Sequence, residues 1–498
     1  MRAHHTLGVA AVAFIVAAPL ICAAADVPIV EAAKQGDVRA LRKLISSRVD
    51  VNAAEVDGTT ALHWAVRVDD ATAVQDLIKA GANVRAVNRY GVTPLWQASV
   101  TGNAAIVELL IGAGAEVDRA LPSGETPLLV AARTGKVGAV RALIARGADV
   151  NASESVYGQT PLMMAAAENQ ADVCRVLMGA GAQVGAKTAL FKGKNFTLSN
   201  PYKGGFTPLL YAARQGAREA ALALIEGGAN VNEQDPEGIS PLLLAIFNGH
   251  YDLAAALVSR GAAVNLLDQS GRGPLYQAID MRRLEFIAGR PAPQWVDELD
   301  ALAIVELLLK GGADPNGALT RRQPVRKAAS PSDTWLVEGT TPFLKAAKNA
   351  DVPVLKLLLK HGADAYHKAP KIEASALMFA AGVGWRELSS IAPEPDALEA
   401  VRFLWELGGY DVNAAAGSTG QTALHGAASR GASTVIQFLV EKGAAVNVTD
   451  KKGRTPLDEA GPVEEGMSSG THPVRPEAQA LLRKLMAQSS SRVVSAQP

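Results

Sequence analysis

The chain is poor in the residues that staple, span or catalyse. Only two of its 498 residues are cysteine, Cys22 and Cys174. If an amino-terminal leader is removed, Cys174 stands alone and no internal disulfide can form, so stability must come from packing. Cys174 lies among Val173, Val176 and Leu177, which marks it as a buried, inert thiol. Aromatic residues make up 5% of the sequence. Charge of one sign is also lacking: 49 basic residues face 49 acidic ones. A neutral chain gives no reason to expect nucleic acid or an anionic membrane as its main partner. The one marked apolar run, Leu7 to Ile21, falls short of the ~20 residues that span a bilayer. It follows a polar start (Arg2, His4, His5) and precedes Ala23-Ala24-Ala25, which is the layout of a cleaved secretory signal. Residues 1–25 are therefore expected to leave, giving an exported, periplasmic or secreted protein that begins at Asp26. A lipid anchor on Cys22 is disfavoured by the bulky Ile21 before it.

Catalytic signatures are missing as well. Six histidines lie beyond the leader (His63, His250, His361, His367, His425 and His472), and none sits in a His-Glu-x-x-His helix. The sequence has no Cys-x-x-Cys-His and no phosphate-binding glycine loop ending in Gly-Lys-Ser/Thr. No catalytic residue, metal or cofactor is expected, and the chain does not read as an enzyme.

Repetition is what the sequence has in abundance. Gly-x-Thr-Pro-Leu occurs at Gly91, Gly124, Gly158 and Gly205, with variants at Gly238, Gly339, Gly420 and Gly453. The glycines at 58, 91 and 124 are 33 apart, as are those at 205, 238 and 271. A second phrase keeps the same beat: Gly81-Ala-Asn-Val, Gly147-Ala-Asp-Val-Asn, Gly228-Ala-Asn-Val-Asn, Gly312-Ala-Asp-Pro-Asn and Gly443-Ala-Ala-Val-Asn. Thr-Pro starts a helix, because the hydroxyl caps free N–H groups and proline suits the first helical position. Leucine and a small pair such as Ala131-Ala132 or Ala212-Ala213 continue an apolar stripe. A second helix follows (Val140, Leu143, Ile144), and the glycine ends it in a left-handed turn. Asp50, Asp149, Asp314 and Asp364 belong to this phrase and are read as turn-formers, not acids or bases. Two short helices cannot bury an apolar face alone, so such units must stack.

In these residues the chain resembles the ankyrin repeat, over nearly all of residues 28 to 487. The resemblance implies an all-α repeat solenoid of stacked helix-turn-helix units with β-hairpin-like fingertip loops. It also implies that the His of Leu62-His63 and Leu424-His425 holds a loop by hydrogen bonds. Trp96, Leu129, Met163 and Tyr276 replace that His elsewhere, so those loops are expected to be less firmly tied. About 12 units are expected: a capping repeat at 26–57, a solenoid at 58–452, a carboxyl-terminal cap at 453–488 and a disordered tail at 489–498.

The period breaks at 185–203, 281–299, 317–337 and 385–396. The first and third lengthen fingertips and carry Lys187, Phe191, Lys192, Lys194, Phe196 and Lys203, then Arg321, Arg322, Arg326, Lys327 and Trp335. The other two separate the helices of one repeat and should emerge on the opposite edge. A hinge, if the chain has one, is expected between Met281 and Val337. The ankyrin pattern places Arg67, Arg89, Tyr90, Arg133, Tyr157, Phe206, Arg214 and Phe247 on exposed inner-helix and fingertip positions, where they gain nothing from packing. With Arg321, Arg322 and Trp335 they form the expected contact face for another protein, since interface anchors are rich in aromatics and Arg. The chain is thus expected to be a monomeric, non-catalytic interaction module: a scaffold, inhibitor or protective binding protein without a membrane span. Two alternatives remain open: an anionic polymer or surface held by the basic fingertips, and an enzyme with an insertion-built pocket.

Overall fold

The computed structural model describes residues 27–190, 204–282, 297–321, 335–385, 392–461 and 474–495, with side chains to 489. Residues 1–25, expected to be a leader, and Phe191, Lys192, Lys194, Phe196, Lys203, Arg322, Arg326, Lys327 and His472 lie outside the described residues. The chain divides into two compact units at Pro122/Ser123.

The first unit holds α1 (Pro28–Lys34), α2 (Val38–Ser46), α3 (Ala61–Arg67), α4 (Ala71–Lys79), α5 (Pro94–Thr101) and α6 (Ala104–Gly112). First helices pack on first helices, α1 on α3 and α3 on α5, and second helices likewise, α2 on α4 and α4 on α6. The second unit begins with α7 (Pro127–Arg133), α8 (Val137–Ala145), α9 (Pro161–Ala167), α10 (Ala171–Gly179), α11 (Pro208–Gln215), α12 (Arg218–Glu226), α13 (Pro241–Asn248) and α14 (Tyr251–Ser259). It continues through α15 (Pro274–Met281), α16 (Ala301–Lys310), α17 (Pro342–Lys348), α18 (Val352–Lys360), α19 (Ala376–Ala381) and α20 (Glu394–Glu406). It closes with α21 (Ala423–Arg430), α22 (Ser433–Glu441), α23 (Pro456–Glu459) and α24 (Pro476–Ser495). The odd-numbered helices stack in one layer from α7 to α23 and the even-numbered ones in a second from α8 to α24. The protein is all-helical among the described residues, built of stacked helix-turn-helix units.

Local chemistry dictates these helices. The hydroxyls of Thr93, Thr126, Thr207 and Ser240 each accept the N–H three residues on, at 3.1–3.3 Å. The leucines behind them (Leu95, Leu128, Leu162, Leu209, Leu242) are at most 1% exposed, each burial worth about 1.5–3 kcal/mol. At the other end Gly147 takes φ +88°, and its N–H and that of Ala148 close on Ile144 and Leu143.

Side chains tie each repeat to the next. The final Asn of Gly-Ala-Asp-Val-Asn reaches across: Asn316 donates to the Gly362 carbonyl at 3.0 Å and accepts from Asp364 N–H at 2.8 Å. Asn52, Asn151, Asn232, Asn265 and Asn413 repeat the contact. Arg85 takes over where Asn is absent, donating to the Gly114 carbonyl at 2.7 Å. The carboxylates of Asp50, Asp149, Asp314 and Asp364 each accept the N–H two residues on, at 2.8–2.9 Å, and shape the turn.

The fingertips are hairpins closed by backbone bonds such as Asn88 N–H to Val92 O at 3.1 Å. Thr188 N–H to Phe206 O (3.1 Å) and Leu319 N–H to Thr340 O (3.0 Å) close two longer loops at the same base. Successive tips are joined by single rungs: Arg89 N–H to Asp57 O, Ser155 to Ser123, Ala189 to Tyr157, Gln269 to Glu237, Thr320 to Ser270 and Lys451 to Thr419, at 2.8–3.1 Å. Three tips instead present Pro122, Pro236 and Pro370, whose rings lie over Gly91, Gly205 and Gly339. Gly91 is at φ +83°, and any Cβ there would meet the Pro122 ring at 2.6 Å.

Two boundaries differ from the sequence reading. Helix α20 starts at Glu394, inside the segment expected to be insertion through residue 396, because Pro395 and the acids Glu394 and Asp396 suit a first turn. Helix α24 runs to Ser495, where a disordered tail was expected from residue 489. Flanking the interval where a hinge is expected, α15 packs on α17, Arg282 pairs with Asp351 at 2.7 Å, and Lys345 pairs with Asp280 at 2.5 Å.

Candidate partner-binding surface

In the first unit the exposed face of α3 is organised around Trp64. Its indole N–H donates to Glu55 at 2.9 Å, while Lys34 and Arg67 each stand 4.9 Å from the ring centroid. Arg67 is exposed and, among the described residues, has no carboxylate partner. On the neighbouring fingertip Arg89 donates to the Tyr90 hydroxyl at 2.9 Å and lies over its ring, and Tyr90 is 59% exposed.

The second unit repeats the device at the same repeat position. Tyr211 and Arg214 occupy on α11 the places that Trp64 and Arg67 hold on α3. The Arg214 guanidinium lies 4.8 Å from the Tyr211 ring and 5.5 Å from Phe206, and those rings meet edge to face at 5.6 Å. Gln159 donates to the Tyr211 hydroxyl at 2.7 Å. Burial pushes the pKa of this phenol above its ordinary value, against the opposing pull of Gln159 and Arg214. Tyr157, on the adjacent fingertip, is 54% exposed.

Not every residue singled out in the sequence is left outward for a partner. Phe206, Phe247 and Trp335 are half-buried. Arg272 covers Phe247 at 5.3 Å while held in a buried ion pair with Asp268 (2.8 Å), and the Trp335 ring fills the space a side chain at Gly384 would need. Arg133 pairs with Glu125 at 3.0 Å, and Arg321 donates to Gln269 at 2.9 Å. The assumption that these aromatics and arginines gain nothing from packing is thus corrected: cation–π stacking, worth roughly 0.5–2 kcal/mol, holds Phe206 and Phe247, and polar partners hold Arg133 and Arg321. Lys187, on the basic fingertip, is paired with Glu233 at 2.5 Å. Trp64, Lys34 and Tyr211 were overlooked. Their signal was an aromatic in the variable slot after Leu-His or Leu-Leu, followed three residues later by Arg.

Chemistry finds little purchase among the described residues. His63 and His425 are buried, each bonded through Nδ1 to Thr60 or Thr422 and through Nε2 to the carbonyl of Val92 or Arg454 in the next repeat. Burial holds both imidazoles below the usual histidine range. The buried Cys174 thiol is pushed up to about 12 by desolvation, too high to give a thiolate near neutrality. Among the described residues no cluster of His, Cys, Asp and Glu could hold a metal ion. A depression of about 790 Å³ between α8 and α10, lined by Val137, Arg141, Asp172, Arg175 and Val176, offers one carboxylate, itself paired with Arg175 at 2.9 Å. No helix among the described residues is long and apolar enough to cross a membrane.

Stacked two-helix repeats with hairpin tips and exposed Arg–aromatic platforms define a protein-interaction module. The model of the ankyrin repeats (3 copies) matches residues 29–121, 115–188, 209–288 and 388–461, and that of the single ankyrin repeat matches 338–369. These matches cover well over half of the chain, which belongs to the ankyrin repeat family. It is 38% identical over 65 residues to BRCA1-associated RING domain protein 1 of Caenorhabditis elegans, a stretch that spans 13% of this chain and 9% of that protein. The human ASB11 ankyrin repeat domain, solved by crystallography, is 29% identical with a TM-score of 0.41, over 47% of this chain and 98% of that one.

Proposed function

We propose that the chain is an exported ankyrin-repeat binding protein, a scaffold, inhibitor or protective partner that recognises another protein through its first-helix face and fingertips. The observation that carries this reading is the Arg214–Phe206–Tyr211 platform. An exposed guanidinium is held over two rings where, among the described residues, no neighbouring side chain uses its hydrogen-bonding edge. Arg and aromatic side chains are the usual anchors of interfaces, and ordering them in advance lowers the entropy cost of binding. Export rests on the leader-like first 25 residues. The basic-fingertip alternative loses Lys187, which is neutralised by Glu233.

The test is capture by tagged residues 26–498 from the exported fraction, at low and high salt, read by mass spectrometry. A stoichiometric protein that survives high salt supports the reading. Recovery of polyanions alone, lost as salt rises, overturns it in favour of electrostatic binding.

A further inference from the structure

The reading above does not say what the platform on α11 recognises; its hydrogen-bonding inventory does. Helices α9, α11 and α13 pack side by side and carry no acidic residue between them. Glu168, at the carboxyl cap of α9, is the carboxylate next to them in sequence. The carboxylates of the adjoining fingertips are engaged. Glu125 is bound by Arg133 at 3.0 Å, and the two oxygens of buried Glu154 accept the N–H groups of Val156, Tyr157 and Gln159 at 2.6–3.0 Å. Arg214 therefore presents its N–H edge with no internal acceptor among the described residues. Its planar face is fixed by Tyr211 and Phe206, so the edge is aimed and not free to sweep. Beside it the Tyr211 hydroxyl receives the Gln159 amide at 2.7 Å, which leaves its own proton to give. These donors stand on a face whose matching helical positions in α9 and α13 are Met164 and Leu244, and the exposed Tyr157 and Leu190 lie on the adjoining fingertips.

We propose that this face is a receptor for an acidic polypeptide segment: a Glu or Asp side chain of the partner pairs with Arg214 and Tyr211, and its apolar neighbours lie on Tyr157 and Leu190. The inference rests on the docking reading above and specifies its chemistry. A planar guanidinium matches a carboxylate in two parallel hydrogen bonds, which lysine cannot reproduce.

The test uses the full exported chain and two libraries of short random peptides, one with Glu and one with Gln fixed at the centre. Wild-type protein is expected to prefer Glu peptides by about tenfold or more, the scale of a charge-assisted pair. Arg214→Gln should abolish that preference, Arg214→Lys should recover only part of it, and Arg175→Gln, in the second-helix layer, should leave it intact, all with unchanged melting. Equal retention of both libraries overturns the carboxylate inference while leaving the docking reading standing. Retention of neither overturns both. Complete displacement of Glu peptides by millimolar inorganic phosphate overturns it in favour of a small-anion site.

Discussion

Leu128→Ala is the sharpest probe of how the stack is held. Leu128 begins the apolar stripe of α7 and is fully buried against the α9 repeat. Truncation removes three carbons, each worth about 0.8 kcal/mol of transfer free energy. It also leaves a cavity that the stacked helices cannot fully close, so the whole cost should be about 3–4 kcal/mol, inside the range for buried leucines. Leu128 sits in the unit Ser123–Pro498, which at about 2.1 cal/mol/K of unfolding entropy per residue loses ~1–1.5 °C of melting temperature per kcal/mol, placing the shift at ~3–6 °C. Calorimetry or far-UV circular dichroism of the purified variant reads it directly. Arg214→Gln serves as the control, because it removes no buried apolar atom and should move the transition by less than ~2 °C. If Leu128→Ala melts with the wild type, the leucine after Thr-Pro is not a core residue and the stripe assignment fails.

Three further outcomes follow from the same geometry. Tyr157→Ala combined with Arg214→Ala should leave melting nearly unchanged yet weaken partner or peptide binding at least about tenfold in a titration; a molten double variant would mean that the face is structural. Asn413→Ala removes two bonds to the next repeat, to Gly443 O at 3.0 Å and from Ala445 N–H at 2.8 Å. It should cost ~1–2 kcal/mol and speed amide exchange at Ala445, and unaltered exchange there would refute the tie. Stability should fall on acidification below about pH 6.5 because burial lowers the affinity of His63 and His425 for protons in the folded state. The unfolded chain then binds more protons as pH drops, which favours unfolding. His425→Gln should flatten the melting temperature against pH between neutrality and about pH 5, and an unchanged slope would exclude the residue.

Much of the architecture was legible because its signals are local. Thr93, Thr126 and Thr207 cap where they stand, Gly147 turns where its φ requires it, and Leu128 and Leu209 face inward by periodicity alone. Repetition made each weak signal credible by restating it. The candidate surface was harder to read, since its members are chosen by neighbours distant in sequence. Nothing near Phe247 announces that Arg272 will cover it, and nothing near Trp335 announces Gly384. Arg133 and Arg214 hold the same repeat position, yet Glu125 neutralises one and two rings steady the other. The start of α20 was missed because a Pro-rich insertion and a proline-led first turn look alike until acidic capping residues are weighed.

The row of tips in the second unit is also an exposed edge. One N–H to O bond per step, with tips facing the same way, is the geometry by which a stranger's extended backbone could add itself to the row. Prolines at 236 and 370 replace the donor at intervals and seat a ring where the bond would form. Such a row cannot be templated end to end, because each proline withholds the hydrogen that the next strand would need. A protein made almost wholly of one repeated phrase, and so prone to pairing with copies of itself, thereby carries interruptions that limit how far any misplaced pairing can run.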